Sequence, residues 1–120
     1  MKSVLIVDDS IVSRKMLAKL IESSGYSVAS QAINGKEALE LYKKLSPDVV
    51  TMDITMPEMN GMDALKMIRE YDPQAKVVLI TAAGQIEKKE QAMEYGATAF
   101  ITKPYDNQDI LDAIAKCLEE

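Results

Sequence analysis

Val4-Leu5-Ile6-Val7-Asp8-Asp9-Ser10-Ile11-Val12-Ser13-Arg14-Lys15-Met16-Leu17-Ala18-Lys19-Leu20-Ile21 contains one strand, one turn and one helix. Val4–Val7 is continuously apolar and mostly β-branched, which suits a strand covered on both faces. Two aspartates end the run. Ile11, Met16, Leu17, Leu20 and Ile21 then recur at helical spacing, and Asp9 or Ser10 stands where an N-cap belongs.

The same unit repeats along the chain. Further short apolar runs occur at Val28–Ala32 (the weakest), Val49–Met52, Val77–Thr81 and Ala99–Thr102. Helical patterns lie between them. The second helix has Ala38, Leu39, Tyr42 and Leu45 after Asn34-Gly35. The third has Met62, Leu65, Met67 and Ile68 after Gly61. The fourth has Ile86, Lys89, Ala92 and Met93 and stops at Gly96. The fifth has Ile110, Leu111, Ile114 and Leu118, with Asn107 as its expected N-cap. Gly25, Pro47 and Asp72-Pro73 mark the ends of the first three helices. Five strands alternating with five helices, (βα)₅, predict an α/β fold with a parallel sheet between two helical layers.

Composition narrows the function. With 120 residues, 48% of them apolar, one domain over 1–120 and one buried core are expected. A net charge of −5 argues against nucleic acid and against an anionic membrane surface as partners. The N-terminal apolar run ends too early for a signal peptide or a membrane span. The absence of histidine excludes Ser-His and Cys-His triads, histidine metal sites and histidine pH switches. The one cysteine, Cys117, reads as a small hydrophobe within a helix, and a lone thiol fits a reducing compartment. The last helix runs to the end of the sequence, so no attached effector domain is expected.

In an open parallel sheet, functional groups gather beyond the carboxyl ends of the strands. The first strand ends in Asp8 and Asp9, the third in Asp53, the fourth in Thr81 and the fifth in Lys103 followed by Pro104; the second offers only Gln31. Three close carboxylates repel one another, and one ammonium cannot neutralise them. A hard divalent cation can, and carboxylates with water suit Mg²⁺. Such an ion with an ammonium and a hydroxyl makes a phosphoryl site, and a nucleophilic carboxylate there could carry the group as an acyl phosphate. Taken singly, each residue has a plain structural reading: Asp9 as a helix cap, Lys103 as a surface lysine. Their coincidence at four of five strand ends favours chemistry.

Asp8-Asp9 after Leu5-Ile6-Val7, the run Met52–Gly61, then Ile80-Thr81-Ala82 and Phe100-Ile101-Thr102-Lys103-Pro104 together resemble the response-regulator receiver domain, closest to its CheY-like single-domain members. The likeness spans essentially the whole chain, with its motifs in order. It implies a flavodoxin/CheY-like doubly wound sheet with strand order 2-1-3-4-5. Asp53 would be the phosphorylated nucleophile, with Asp8, Asp9, Asp53 and the Thr55 carbonyl as the Mg²⁺ set. Asp9 would bind directly, Asp8 mainly through water. Lys103 would pair with the phosphoryl oxygens and Thr81 would bond to them, vacating space for Phe100, the switch aromatic. Lys103-Pro104 would be cis. The phosphodonor would be a histidine kinase, and the responsive surface the fourth helix, fifth strand and fifth helix, where a downstream protein target would bind. The protein would be cytoplasmic and monomeric. It would be no enzyme toward other substrates, catalysing only its own phosphorylation and slow dephosphorylation.

Phe100 also reads as an ordinary core aromatic. Met52, Met56, Met59, Met62 and Met67 read as adaptable packing around the site. Thr55 and Ala83, two residues beyond Asp53 and Thr81, lack the acid or amide groups with which some receivers orient the hydrolytic water. The phospho-form should therefore be long-lived and call for a separate phosphatase. A haloacid-dehalogenase-like phosphatase would want an aspartate at 55, and a nucleotide-binding module would want a glycine-rich loop where Asp8–Ser13 stands. A receiver that never binds phosphate would not need the full residue set. Chemotaxis output and a phosphorelay role, passing phosphoryl to a histidine phosphotransfer protein, both remain open.

Overall fold

Ten regular elements and one 3₁₀ segment follow in order in the computed structural model, which describes residues 1–119, apart from the side chains at 83, 84 and 86. They are β1 (Ser3–Val7), α1 (Ile11–Ser23), β2 (Ser27–Ala32), α2 (Gly35–Leu45), β3 (Val49–Asp53), α3 (Gly61–Tyr71), β4 (Val77–Ala82), a 3₁₀ segment (Ala83–Lys88), α4 (Lys89–Glu94), β5 (Ala99–Lys103) and α5 (Asn107–Leu118). All strand pairs are parallel, in the order β2-β1-β3-β4-β5. This is the doubly wound α/β arrangement expected from the alternation of strands and helices.

Strand pleating divides the core in two. Leu5, Val7, Val50, Met52, Val77 and Leu79 face one side and pack with residues of α2 and α3, including Ala38, Tyr42, Leu65 and Ile68. Val4, Ile6, Val49, Val78 and Ile80 face the other and pack with Leu17 and Ile21 of α1 and Ile110 and Ile114 of α5. The central strands β1, β3 and β4 are therefore buried on both faces, which is why they read as unbroken apolar runs. The edge strands β2 and β5 are mostly half-exposed, which explains the weak signal at Val28–Ala32. Cys117 is buried in the second cluster. Met52, Met56 and Met62 are core residues, but Met67 lies outside the cluster, 40% exposed.

Two helix boundaries differ from expectation. Asp106, one residue before Asn107, is the N-cap of α5; its N–H donates to the Asp109 carboxylate at 3.0 Å. The fourth helix is short. Its expected first turn is 3₁₀, and Gln85 there departs from helical geometry at φ −116°, ψ 17°. Lys88, at the start of α4, makes no side-chain capping bond. The end at Gly96 is as expected, with φ +99°, a left-handed conformation that glycine adopts without strain. Ser10, Asn34 and Asn60 cap α1, α2 and α3, each side chain accepting an N–H three residues on.

Candidate functional site

The pleat that divides the core also aims the site residues. Asp8 continues the side of β1 that carries Val4 and Ile6. Asp53 continues that of Val49, and Lys103 that of Ile101. All three therefore belong to the α1/α5 side of the sheet's carboxyl edge. Thr81 follows Leu79 on the opposite side, where Phe100 also lies as the register partner of Leu79.

Asp8, Asp9 and Asp53 each offer a carboxylate oxygen, all within 4.8 Å of one another. Asp8 is buried and Asp9 exposed. One Asp8 oxygen accepts the Ser10 N–H at 2.8 Å, and the Asp8 main-chain oxygen accepts Arg14 Nη1 at 2.7 Å. The Asp53 side chain is 12% exposed and lies 3.6 Å from Lys103 Nζ. That separation is an ion pair longer than a hydrogen bond. Burial pushes the Asp53 carboxyl above the usual range. Lys103 pulls it down, Asp8 pushes it up, the Ile54 N–H pulls it down and Asp9 adds a last upward push. Burial likewise raises the Tyr105 hydroxyl, which feels Lys103, Asp8 and Asp53.

The loop after β3 is clamped beside this cluster. Gly61 N–H donates to the Ile54 oxygen at 2.7 Å, and a Cβ at 61 would run into the Asp53 carbonyl oxygen and the Ile54 Cα. Only glycine allows α3 to start so close to the strand end. Glu58, at φ +64°, accepts the Asn34 amide at 3.1 Å, joining this loop to the start of α2.

The donor set fits Mg²⁺. It is all oxygen, it carries more negative charge than Lys103 offsets, and its members are near enough to close on one ion with small rotations. Octahedral Mg²⁺ places opposite ligands about 4.2 Å apart. Thr55 sits two residues beyond Asp53, and its hydroxyl points to Gln85 Oε1 at 3.2 Å. Thr81 is buried, and its hydroxyl donates to the same Gln85 oxygen at 2.7 Å. Phe100 is half-buried against the α2/α3 cluster. The Lys103-Pro104 peptide is cis. The side chain of Ala83 lies outside the described residues, as does that of Ile86. Sequence reasoning missed Gln85, Arg14 and Tyr105. Arg14 had no motif to mark it, although it sits on α1 facing Gln31, whose amide oxygen accepts its Nε at 3.2 Å.

Comparison with known proteins points the same way. The chemotaxis protein CheY of Thermotoga maritima is 50% identical over 115 residues, 96% of each chain. The CheY of Bacillus subtilis is 45% identical over 115 residues, again 96% of each. A chain of the CheX–CheY–BeF₃–Mg²⁺ complex from Borrelia burgdorferi superposes with a TM-score of 0.94 at 36% identity, covering 99% of this chain and 90% of that one. Residues 4–115 match the response regulator receiver domain family. With its strand order, its carboxylate cluster and these relatives, the chain belongs to the receiver domains of CheY-type response regulators.

Proposed function

We propose that this chain is a cytoplasmic, monomeric phospho-acceptor switch, a single domain over 1–120, in which Asp53 receives a phosphoryl group from the phosphohistidine of a histidine kinase. One observation carries the reading: three carboxylates within 4.8 Å of one another, with a lysine 3.6 Å from Asp53. An Asp53 oxygen attacks phosphorus as the P–N bond breaks, and the imidazole leaves with its electron pair and takes a proton. Asp8, Asp9, Asp53 and the Thr55 carbonyl would hold Mg²⁺, which supplies charge neutralisation when bound. Lys103 pairs with the phosphoryl oxygens. The Thr81 hydroxyl bonds to one of them, and Phe100, on the same side of the sheet, follows into the space it leaves. The resulting change reaches α4, β5 and α5, where a chemotaxis-type protein target binds.

The relatives support this reading. The Borrelia complex pairs a CheY with CheX, Mg²⁺ and BeF₃, a phosphoryl-like anion, and a CheX-like partner for this chain is a reasonable extension. Thr55 turns its hydroxyl to Gln85, so it is not poised to orient a hydrolytic water, and slow self-dephosphorylation is part of the proposal. Among the described residues no helix is long and apolar enough to cross a membrane.

The test is intact-mass analysis with acetyl phosphate, with and without Mg²⁺, on wild type and Asp53→Asn. One phosphoryl adduct, dependent on Mg²⁺ and absent from the variant, is expected, and it should persist for minutes or longer. An adduct that survives in Asp53→Asn, or that forms equally in EDTA, sinks the assignment. A half-life of seconds sinks the slow-hydrolysis part alone.

A further inference from the structure

We infer that Gln85 is a positioning residue. Its amide oxygen holds the segment between β4 and α4 in the resting form, and it competes with a phosphoryl group for the Thr81 hydroxyl proton. The second half rests on the proposed phosphorylation of Asp53.

Gln85 Oε1 accepts Thr81 Oγ1 at 2.7 Å and Thr55 Oγ1 at 3.2 Å. One side chain thus ties three segments: the end of β4, the loop after β3 and the 3₁₀ turn that carries it. A carbonyl oxygen has two acceptor positions, and both are used. Gln85 is also the residue of that turn that leaves helical geometry, so its backbone adopts the bend that brings the side chain back over the sheet edge. Beyond it, α4 has only six residues and no side-chain cap. Among the described residues, the two Gln85 bonds are the side-chain hydrogen bonds that tie this turn to the sheet edge, which makes the Gln85 contact an anchor of the segment.

The competition follows from the donor. A threonine hydroxyl has a single proton, and Thr81 is fully buried, with no bulk water to satisfy it. It can donate to Gln85 or to a phosphoryl oxygen on Asp53, but not to both. A charged oxygen is the stronger acceptor. Phosphorylation therefore removes the shorter of the two Gln85 bonds and frees the segment that leads into α4. Thr55 is exposed and its bond is longer, so it cannot hold Gln85 alone as firmly.

The test compares wild type, Gln85→Met and Gln85→Glu. Methionine keeps the length and loses the acceptor; glutamate keeps an acceptor. Hydrogen exchange of the amides from 83 to 94 is measured without donor, and again with Mg²⁺ and beryllofluoride. Without donor, Gln85→Met should exchange roughly 2- to 12-fold faster than wild type over this segment, the loss expected for a hydrogen bond of typical net worth. Gln85→Glu should stay near wild type. With beryllofluoride, wild type should accelerate toward the Gln85→Met level, while Gln85→Met changes little. Equal exchange in wild type and Gln85→Met without donor overturns the anchor. An equal beryllofluoride response in both proteins overturns the competition, because a merely structural glutamine would give that result. Intact mass on the same samples with acetyl phosphate separates the two layers. If wild type takes no adduct, the phosphoryl reading and the competition fall together, and the donor-free exchange still decides the anchor.

Discussion

Replacing Asp53 by asparagine should make the metal-free protein more stable. Two unit charges 4.8 Å apart repel by about 3.5 kcal/mol at an effective dielectric of 20 and by about 0.9 kcal/mol in bulk water, and the three carboxylates lie within that distance. Both repulsions lie between these figures, Asp8 at about 1.5 kcal/mol and exposed Asp9 near the lower one. Together they act against ionised Asp53 by about 2 kcal/mol, with Lys103 the larger single charge effect. Lys103 lies 3.6 Å away, but it is 37% exposed, and solvent screening leaves it an attraction of about 2 kcal/mol. The Ile54 N–H adds about 1 kcal/mol. Burial decides the balance against the charge, in keeping with the raised carboxyl. Asparagine keeps the shape without the charge, so metal-free Asp53→Asn should gain about 1–3 kcal/mol near pH 7.

The pH dependence fixes the cause. The folded pKa of Asp53 lies above its unfolded value, so between the two the native state binds more protons. Wild-type stability therefore falls as pH rises through that window. Below about pH 4 both wild-type states are protonated, and the gap between wild type and variant should close; above the window it should level off. Mg²⁺ should reverse the order, since at a hundred times its dissociation constant it adds about 2.7 kcal/mol to wild type. The variant keeps only two of the three carboxylates. Urea unfolding of both proteins across pH, in EDTA and in Mg²⁺, checks each part. Metal-free Asp53→Asn less stable than wild type at pH 7, or a gap that ignores pH, would refute the electrostatic account.

Thr51 lies one pleat below Asp53 on the same side of β3, fully buried, with its hydroxyl unpartnered among the described residues; Thr51→Val should stabilise by about 1 kcal/mol, seen as a Tm higher by about 4 °C. The Tyr42 hydroxyl donates to the Asp72 carboxylate at 2.6 Å, joining α2 to the end of α3, so Tyr42→Phe should cost about 1–2 kcal/mol at pH 7 by urea unfolding. That bond holds Asp72 below its usual range, so its contribution is full above the unfolded carboxylate pKa and fades as pH falls through the folded one; the Tyr42→Phe deficit should shrink in acid, and a constant deficit would count against it. Gly61→Ala should cost more than about 2 kcal/mol by thermal unfolding and weaken Mg²⁺ binding measured by calorimetry, because the added Cβ displaces the Asp53 and Ile54 backbone.

The parts of the site that were legible in the sequence are those the chain delivers by strand position. A buried parallel strand announces itself as an apolar run, and the residue after it sits at the functional edge whatever the rest of the chain does. Asp8, Asp9, Asp53, Thr81 and Lys103 could be placed for that reason. The weakest strand signal was that of edge strand β2, whose residues are mostly half-exposed; β5, also half-exposed, was still legible at Ala99–Thr102. The fourth helix was misjudged because periodicity from Ile86 to Met93 says nothing about a side chain that turns back. Likewise Asn107 and Asp106 are equally good caps on paper, and the Asp109 carboxylate selects the earlier one.

Gln85 shows where the limit lies. Nothing in its type or spacing marks it, because its role comes from meeting Thr81 and Thr55, four and thirty residues away, at a single oxygen atom. Strand-end carboxylates set what the site can bind, and their chemistry follows from their number and charge. On the Gln85 inference, how phosphoryl binding reaches α4 depends instead on which acceptor holds the Thr81 hydroxyl proton. Residues that make a charge cluster can therefore be found by reading along the chain. A residue that couples the cluster to a neighbouring helix is found only once the side chains are placed. Its substitution should leave Mg²⁺ affinity nearly unchanged while altering exchange in the segment before α4, a separation that loss of any of the three carboxylates would not produce.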